Sequence, residues 1–96
     1  MRAFFIIYDV ENEDDIMSAL ESANIEAYTK WDRVLGKGKN SDPKMDDPVW
    51  PGFNNMIFIV TDGEKGNKLI EVLSLLSKRL SGKGLKVFEF SILEVF

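Results

Sequence analysis

Two short stretches of the chain gather groups that could hold a small anion: Gly36-Lys37-Gly38-Lys39-Asn40 and Gly82-Lys83-Gly84-Leu85-Lys86. Closely spaced glycines let backbone N–H groups approach a phosphate, and interleaved lysines add ammonium donors. Neither stretch has the spacing of a Walker A loop or a dinucleotide fingerprint. The first therefore also reads as a solvated turn, and the second as a helix stop followed by a turn. Asp42, Asp46 and Asp47 offer an oxygen-rich alternative suited to Mg²⁺ or Ca²⁺. Carboxylates in a polar loop are more often simply hydrated, and no metal site is assigned.

The rest of the composition narrows the chemistry. The 96 residues include no Cys and no His, which removes disulfides, thiol nucleophiles, thiolate zinc sites and the usual neutral-pH acid or base. An enzyme would have to use a carboxylate pair or an activated Lys or Tyr, and no spacing singles one out, so no catalytic residue is assigned. The formal charge of −4 argues against nucleic acid, whose binding needs a dense basic patch. The longest apolar run, Ala3 to Tyr8, falls far short of the ~20 residues of a membrane span. Asp9 closes that run before a signal-peptide core develops, and a cytoplasmic protein is expected.

The elements that must carry the two stretches follow from periodicity. Met1 to Asp9 reads as a strand with two apolar faces, Phe4, Ile6 and Tyr8 on one and Ala3, Phe5 and Ile7 on the other. Asn12 is placed to cap a helix that opens with Glu13, Asp14 and Asp15, carries Ile16, Met17, Leu20 and Ala23 at helical spacing, and ends near Asn24. Ile25 to Val34 alternates as a second strand. Leu35 to Phe53 holds all three prolines and three of the seven glycines, and reads as a long loop. Asn54 to Asp62 is a third strand, again apolar on both sides. Asp62 then caps a helix over Gly63 to Ser81, with Gly82 at its C′ position and Lys78, Arg79 and Lys83 complementing the dipole at its end. Lys86 to Phe90 is a fourth strand, and Ile92 to Phe96 leaves room for a short fifth.

The order β-α-β-β-α-β has a ferredoxin-like solution of the α+β class. Two crossovers put both helices on one face of a four-stranded antiparallel sheet, with the first and third strands central. The whole of 1–96 is expected to form one domain. Two helices cover only one face, yet Phe5, Ile7, Met56, Phe58 and Val60 fall on the other. Each such side chain gains about 1.5–3 kcal/mol when buried, so a second copy of the chain is expected to cover that face. The other arrangement is a monomer whose loop folds over it.

Trp50-Pro51-Gly52-Phe53 is expected to anchor the loop base to the core. Val49 to Phe53 should then be ordered, and Lys37 to Asp47 should be the mobile part. A neighbouring subunit could bring its Gly82 to Lys86 turn towards the loop base, making a lysine-lined cleft suited to an anionic nucleotide.

These residues carry a family resemblance. The strand Tyr28-Thr29-Lys30-Trp31-Asp32-Arg33-Val34 running into Leu35-Gly36-Lys37-Gly38-Lys39, the long loop and Val49-Trp50-Pro51-Gly52-Phe53-Asn54 resemble the PII-like signalling superfamily. More narrowly, the chain resembles its small PII-like members without a long C-terminal tail. The resemblance implies a trimer with sheets packed inward, ATP or ADP bound in clefts between subunits, often with 2-oxoglutarate and Mg²⁺, and a long loop that docks on partner proteins. It implies an adenine nucleotide as ligand and a protein partner reached through loop 37–47. Gly36, Gly38 and Asn40 match the base of that loop, with Asn where classical members have Gln. Gly82, Gly84 and Lys86 resemble the phosphate-holding turn, with Leu85 altering the spacing, and Lys37, Lys39 and Lys83 complete the candidate ligand set. The family's phosphate-clasping arginines have no counterpart up to Phe96, and the loop carries no Tyr to be modified. An alternative of similar topology is a CutA-like metal-handling trimer, which here would have only carboxylates to offer hard cations.

Overall fold

The central strands form from apolar runs, and the second helix starts at a polar cap. The computed structural model describes residues 1–96. Its elements are β1 (Arg2–Asp9), a 3₁₀ turn (Val10–Asn12), α1 (Glu13–Ser22), β2 (Thr29–Val34), β3 (Asn54–Thr61), α2 (Gly63–Arg79) and β4 (Leu85–Ser91). The sheet order is β2-β3-β1-β4, antiparallel at every neighbouring pair. The two strands that are apolar on both sides are the central ones, as the composition requires.

Phe4, Ile6 and Tyr8 of β1 and Ile57 and Ile59 of β3 meet Ile16 and Leu20 of α1 and Leu69, Leu73 and Leu76 of α2 in one core. The opposite sheet face is uncovered. Phe5 lies 4.8 Å from Phe58, 5.6 Å from Phe90 and 6.4 Å from Trp31, centroid to centroid. Phe88 and Phe90 remain about half exposed, at 46% and 49%.

Both helices end in a Schellman arrangement. In α1, Asn24 takes a left-handed φ of 57° and donates to Glu21 O, while Ile25 N donates to Leu20 O at 2.9 Å. Ile25 is therefore drawn into the helix stop and buried. For that reason β2 begins at Thr29 and not at Ile25. In α2 the C′ position belongs to Ser81, at φ 57°. Gly82 follows it and donates to Ser77 O at 2.8 Å. The expected glycine stop is thus displaced by one residue, and the helix closes at Arg79.

The fifth strand does not form. Ser91 pairs with Arg2, the first residue of β1. Beyond it only Met1 is left to pair, and its carbonyl takes Ile92 N at a long 3.4 Å. Asp62 caps α2 as expected, accepting from Lys65 N at 2.9 Å. Asn12 precedes α1 but makes no capping bond. Its Nδ2 donates to Gly84 O at 3.3 Å, and Asp9 caps the preceding 3₁₀ turn by accepting from Glu11 N.

Candidate functional site

The antiparallel pairing brings the ends of β1 and β2 and the starts of β3 and β4 to the same end of the sheet. Loop 35–53 and the 80–84 turn both emerge there, one at each edge. With three interstrand spacings between β2 and β4, the two stretches are roughly 14 Å apart across the sheet. The first residues beyond β1 lie between them.

Gly36 and Lys44 exchange both backbone hydrogen bonds, at 2.9 and 2.6 Å. This narrow pair closes a tip that carries Lys37, Gly38, Lys39 and Asn40, all exposed. The rest of the loop is bonded to itself. Asp46 N donates to Gly52 O and Asp47 N to Trp50 O, while Asp47 Oδ1 accepts from Val49 N and Trp50 N. Hydrogen bonding thus reaches Lys44 to Asp47, which the sequence reading had assigned to the mobile part, because the Gly36–Lys44 pair fixes the chain before the aromatic anchor begins. Val49 and Trp50 stay exposed, at 74% and 40%. Phe53 provides the anchor, half-buried beneath the Arg33 guanidinium, 5.0 Å from the ring centroid.

Arg33 governs how the chain leaves β2. The β2–β3 register slips between Trp31 and Val34, and Arg33 takes φ 60° there. Asn55 Oδ1 accepts its amide at 3.2 Å, and its guanidinium also bonds Asp46 Oδ2 at 2.9 Å. One residue therefore holds the loop's start, its middle and its return.

At the other edge, the Gly82 and Lys83 amides serve the end of α2, donating to Ser77 O and Leu80 O. Gly84 has φ 68°, and its carbonyl accepts from Asp9 N at 3.0 Å and from Asn12 Nδ2. A Cβ at Gly84 would stand 3.0 Å from Asn12 Nδ2 and 3.3 Å from Asp9 Cβ. Lys86 pairs with Ile7 and so belongs to the uncovered sheet face.

Asp9 joins the two sides within one chain. Its amide holds Gly84 and its Oδ2 holds Lys44 Nζ at 3.1 Å. In the sequence Asp9 reads as the end of a strand and Asn12 as a cap. No local pattern marks the meeting of Asp9 with Lys44, since the two are 35 positions apart.

Behind this end lies a polar hub. Glu13 Oε1 accepts from the Tyr8 hydroxyl and from Asn55 Nδ2 at 3.0 Å, and Oε2 accepts from Lys30 Nζ at 2.6 Å. Partial burial pushes the Glu13 carboxyl up, but the hydrogen bonds from Lys30, Tyr8 and Asn55 outweigh it and hold the carboxyl below its ordinary range. Burial, then the bond to Glu13, pushes the Tyr8 phenol well above the usual tyrosine range. No group of three or more Asp or Glu is placed to hold a metal ion, and no helix is long and apolar enough to cross a membrane.

The sequence matches the family model for nitrogen regulatory protein P-II over residues 1–96. No curated protein matches it significantly. Among solved structures, the chain is similar to CPII from Thiomonas intermedia K12 bound to ADP and bicarbonate, with a TM-score of 0.76 and 19% identity over 95% of this chain and 84% of that one. It is similar also to CPII bound to ADP, AMP and bicarbonate, at TM-score 0.76 and 18% identity over the same shares. Apo CPII, described as a nitrogen regulatory PII-like protein, gives TM-score 0.70 and 18% identity over 95% and 87%. The chain belongs to the nitrogen regulatory protein P-II family.

Proposed function

We propose that the protein is a trimeric regulator that binds an adenine nucleotide in clefts between subunits and acts on a protein partner through loop 37–47. The observation that carries this reading is the meeting of the loop base and the glycine turn at Asp9, on one end of the sheet. Lys37 and Lys39 stand on the exposed tip and Lys83 on the exposed turn, so cationic donors flank the gap on both sides. Gly36, Gly38 and Asn40 shape the loop side, and Gly82, Gly84 and Lys86 the turn side. CPII, a structural neighbour, is described as bound to ADP, AMP and bicarbonate, which supports an adenine nucleotide, with bicarbonate as a second anion to test.

The trimer is supported by the uncovered aromatic face. An apolar patch of this breadth on a single small chain marks an interaction surface, and closed rotational symmetry is the usual way for identical copies to cover it. Calorimetric titration with ADP, AMP, ATP and bicarbonate, alongside light scattering, tests both parts. Three subunits per particle and saturable binding of at least one adenine nucleotide are expected. A single subunit at low micromolar concentration, or no heat with any of these ligands, overturns the corresponding part.

A further inference from the structure

We infer that Lys44 is the cation that meets the ligand's phosphate, and that Asp9 competes for it when the site is empty. The inference rests on the nucleotide reading above and adds to it a residue and an order of events.

The Lys44 backbone is held in place by its two hydrogen bonds to Gly36. Its side chain does not remain with the exposed lysines of the tip. It turns back to the β1 end, where Nζ lies 3.1 Å from Asp9 Oδ2, with both side chains about three-quarters covered. Asp9 in turn is bonded to Gly84. Lys44 therefore sits between the loop base and the glycine turn, while Lys37 and Lys39 project from the tip and Lys86 lies on the open sheet face.

An ammonium is a compact charge with freely rotating donors, and it can exchange one anionic partner for another with the backbone unchanged. A terminal phosphate carries more charge than a carboxylate and offers three acceptor oxygens. It takes the ammonium from Asp9 and leaves Oδ1 still capping the 3₁₀ turn at Glu11 N. Every ligand must therefore displace an existing ion pair, and Asp9 lowers the apparent affinity.

The test compares Lys44→Met, Asp9→Asn and the double variant in titrations with ADP, adenosine and inorganic pyrophosphate. Asn at position 9 keeps the capping oxygen and removes the charge, and the Gly36 pair at position 44 uses backbone only, so both variants retain the fold. Lys44→Met is expected to weaken ADP about tenfold or more, as loss of a charge-assisted phosphate contact does, and to leave adenosine unchanged. Asp9→Asn is expected to tighten ADP and pyrophosphate about threefold or more, and the gain should vanish in the double variant. Lys44→Arg should recover part of the loss.

ADP affinity within twofold of wild type in Lys44→Met overturns the inference. So does an Asp9→Asn gain that persists without Lys44, since it would then be a general field effect. If the wild type binds pyrophosphate but not ADP, the nucleotide reading falls while the inference is judged on the same variants. If no variant binds either anion, both fall.

Discussion

Lys30, on the edge strand, reaches the helix side of the sheet to place its Nζ 2.6 Å from Glu13 Oε2 in the first turn of α1. Glu13 thereby ties α1 to β2, and through Tyr8 and Asn55 to β1 and β3 as well. A carboxylate at a helix N-terminus is favoured by the dipole, and here it also satisfies polar groups from three strands.

Replacing Glu13 with Gln should cost about 1–3 kcal/mol at pH 7, the usual range for hydrogen bonds to a charged group. Because the folded carboxyl lies below its unfolded value, its contribution is complete above the unfolded value of about 4.3 and is lost as pH falls through the lower folded value. Urea unfolding midpoints at pH 7 and pH 3 should show the gap between wild type and Glu13→Gln narrowing in acid. An equal gap at both values would assign the effect to shape and not to charge.

Tyr8→Phe removes one donor to Glu13 and should cost about 1–2 kcal/mol. The alkaline limb runs in the opposite sense. With the folded phenol raised, the unfolded chain loses its proton first, above about pH 10, so stability falls as pH rises through that value. Tyr8→Phe should lose this part of the alkaline decline, which unfolding curves between pH 9 and pH 11 would show.

Phe90→Glu places a charge beside Phe5 on the open sheet face, where the two rings meet edge to face. Position 90 is about half exposed in the single chain, so the subunit should keep its circular dichroism spectrum. Burying the carboxylate against another copy would cost several kcal/mol, and sedimentation should show dissociation to monomers. Retention of the oligomer would remove the open face as its interface.

Gly84→Ala and Gly52→Ala separate backbone strain from crowding. Both residues have positive φ, 68° and 91°, but only Gly84 has neighbours that a Cβ would press, whereas nothing lies within 4 Å of Gly52. Strain alone should cost each about 1–2 kcal/mol. Gly84→Ala should cost more, because Asp9 and Asn12 must shift. Thermal unfolding of the two variants checks this; equal losses would mean that the turn at Gly84 opens freely.

The local parts of the molecule were legible from sequence because they depend on neighbours in the chain. Apolar side chains on both faces of β1 and β3 identify the central strands, and the spacing from Ile16 to Ala23 identifies a helix face. Those patterns, with the β-α-β-β-α-β order, led to the sheet and to the uncovered face. Tyr28 to Lys39, the long loop and Val49 to Asn54 carry the family resemblance. At Ile25 and at Gly82 two local signals compete. Ile25 could extend a strand or close a helix, and its burial beside Leu20 decided for the helix. Gly82 looked like the helix stop, yet Ser81 takes the left-handed position, since the Schellman bonds to Lys78 and Ser77 fit one residue earlier.

Tertiary structure alone decided which charges meet. Glu13 and Asn55 are 42 positions apart, and nothing near either foretells the other. The pairing of Asp9 with Lys44 depends on where β1 ends, where the Gly36 bridge closes and where α2 returns the chain, three events at separate places in the sequence. Periodicity reports burial because every residue on an element shares one environment. A hydrogen bond or ion pair requires two particular atoms within about 3 Å, and only the assembled sheet brings them together.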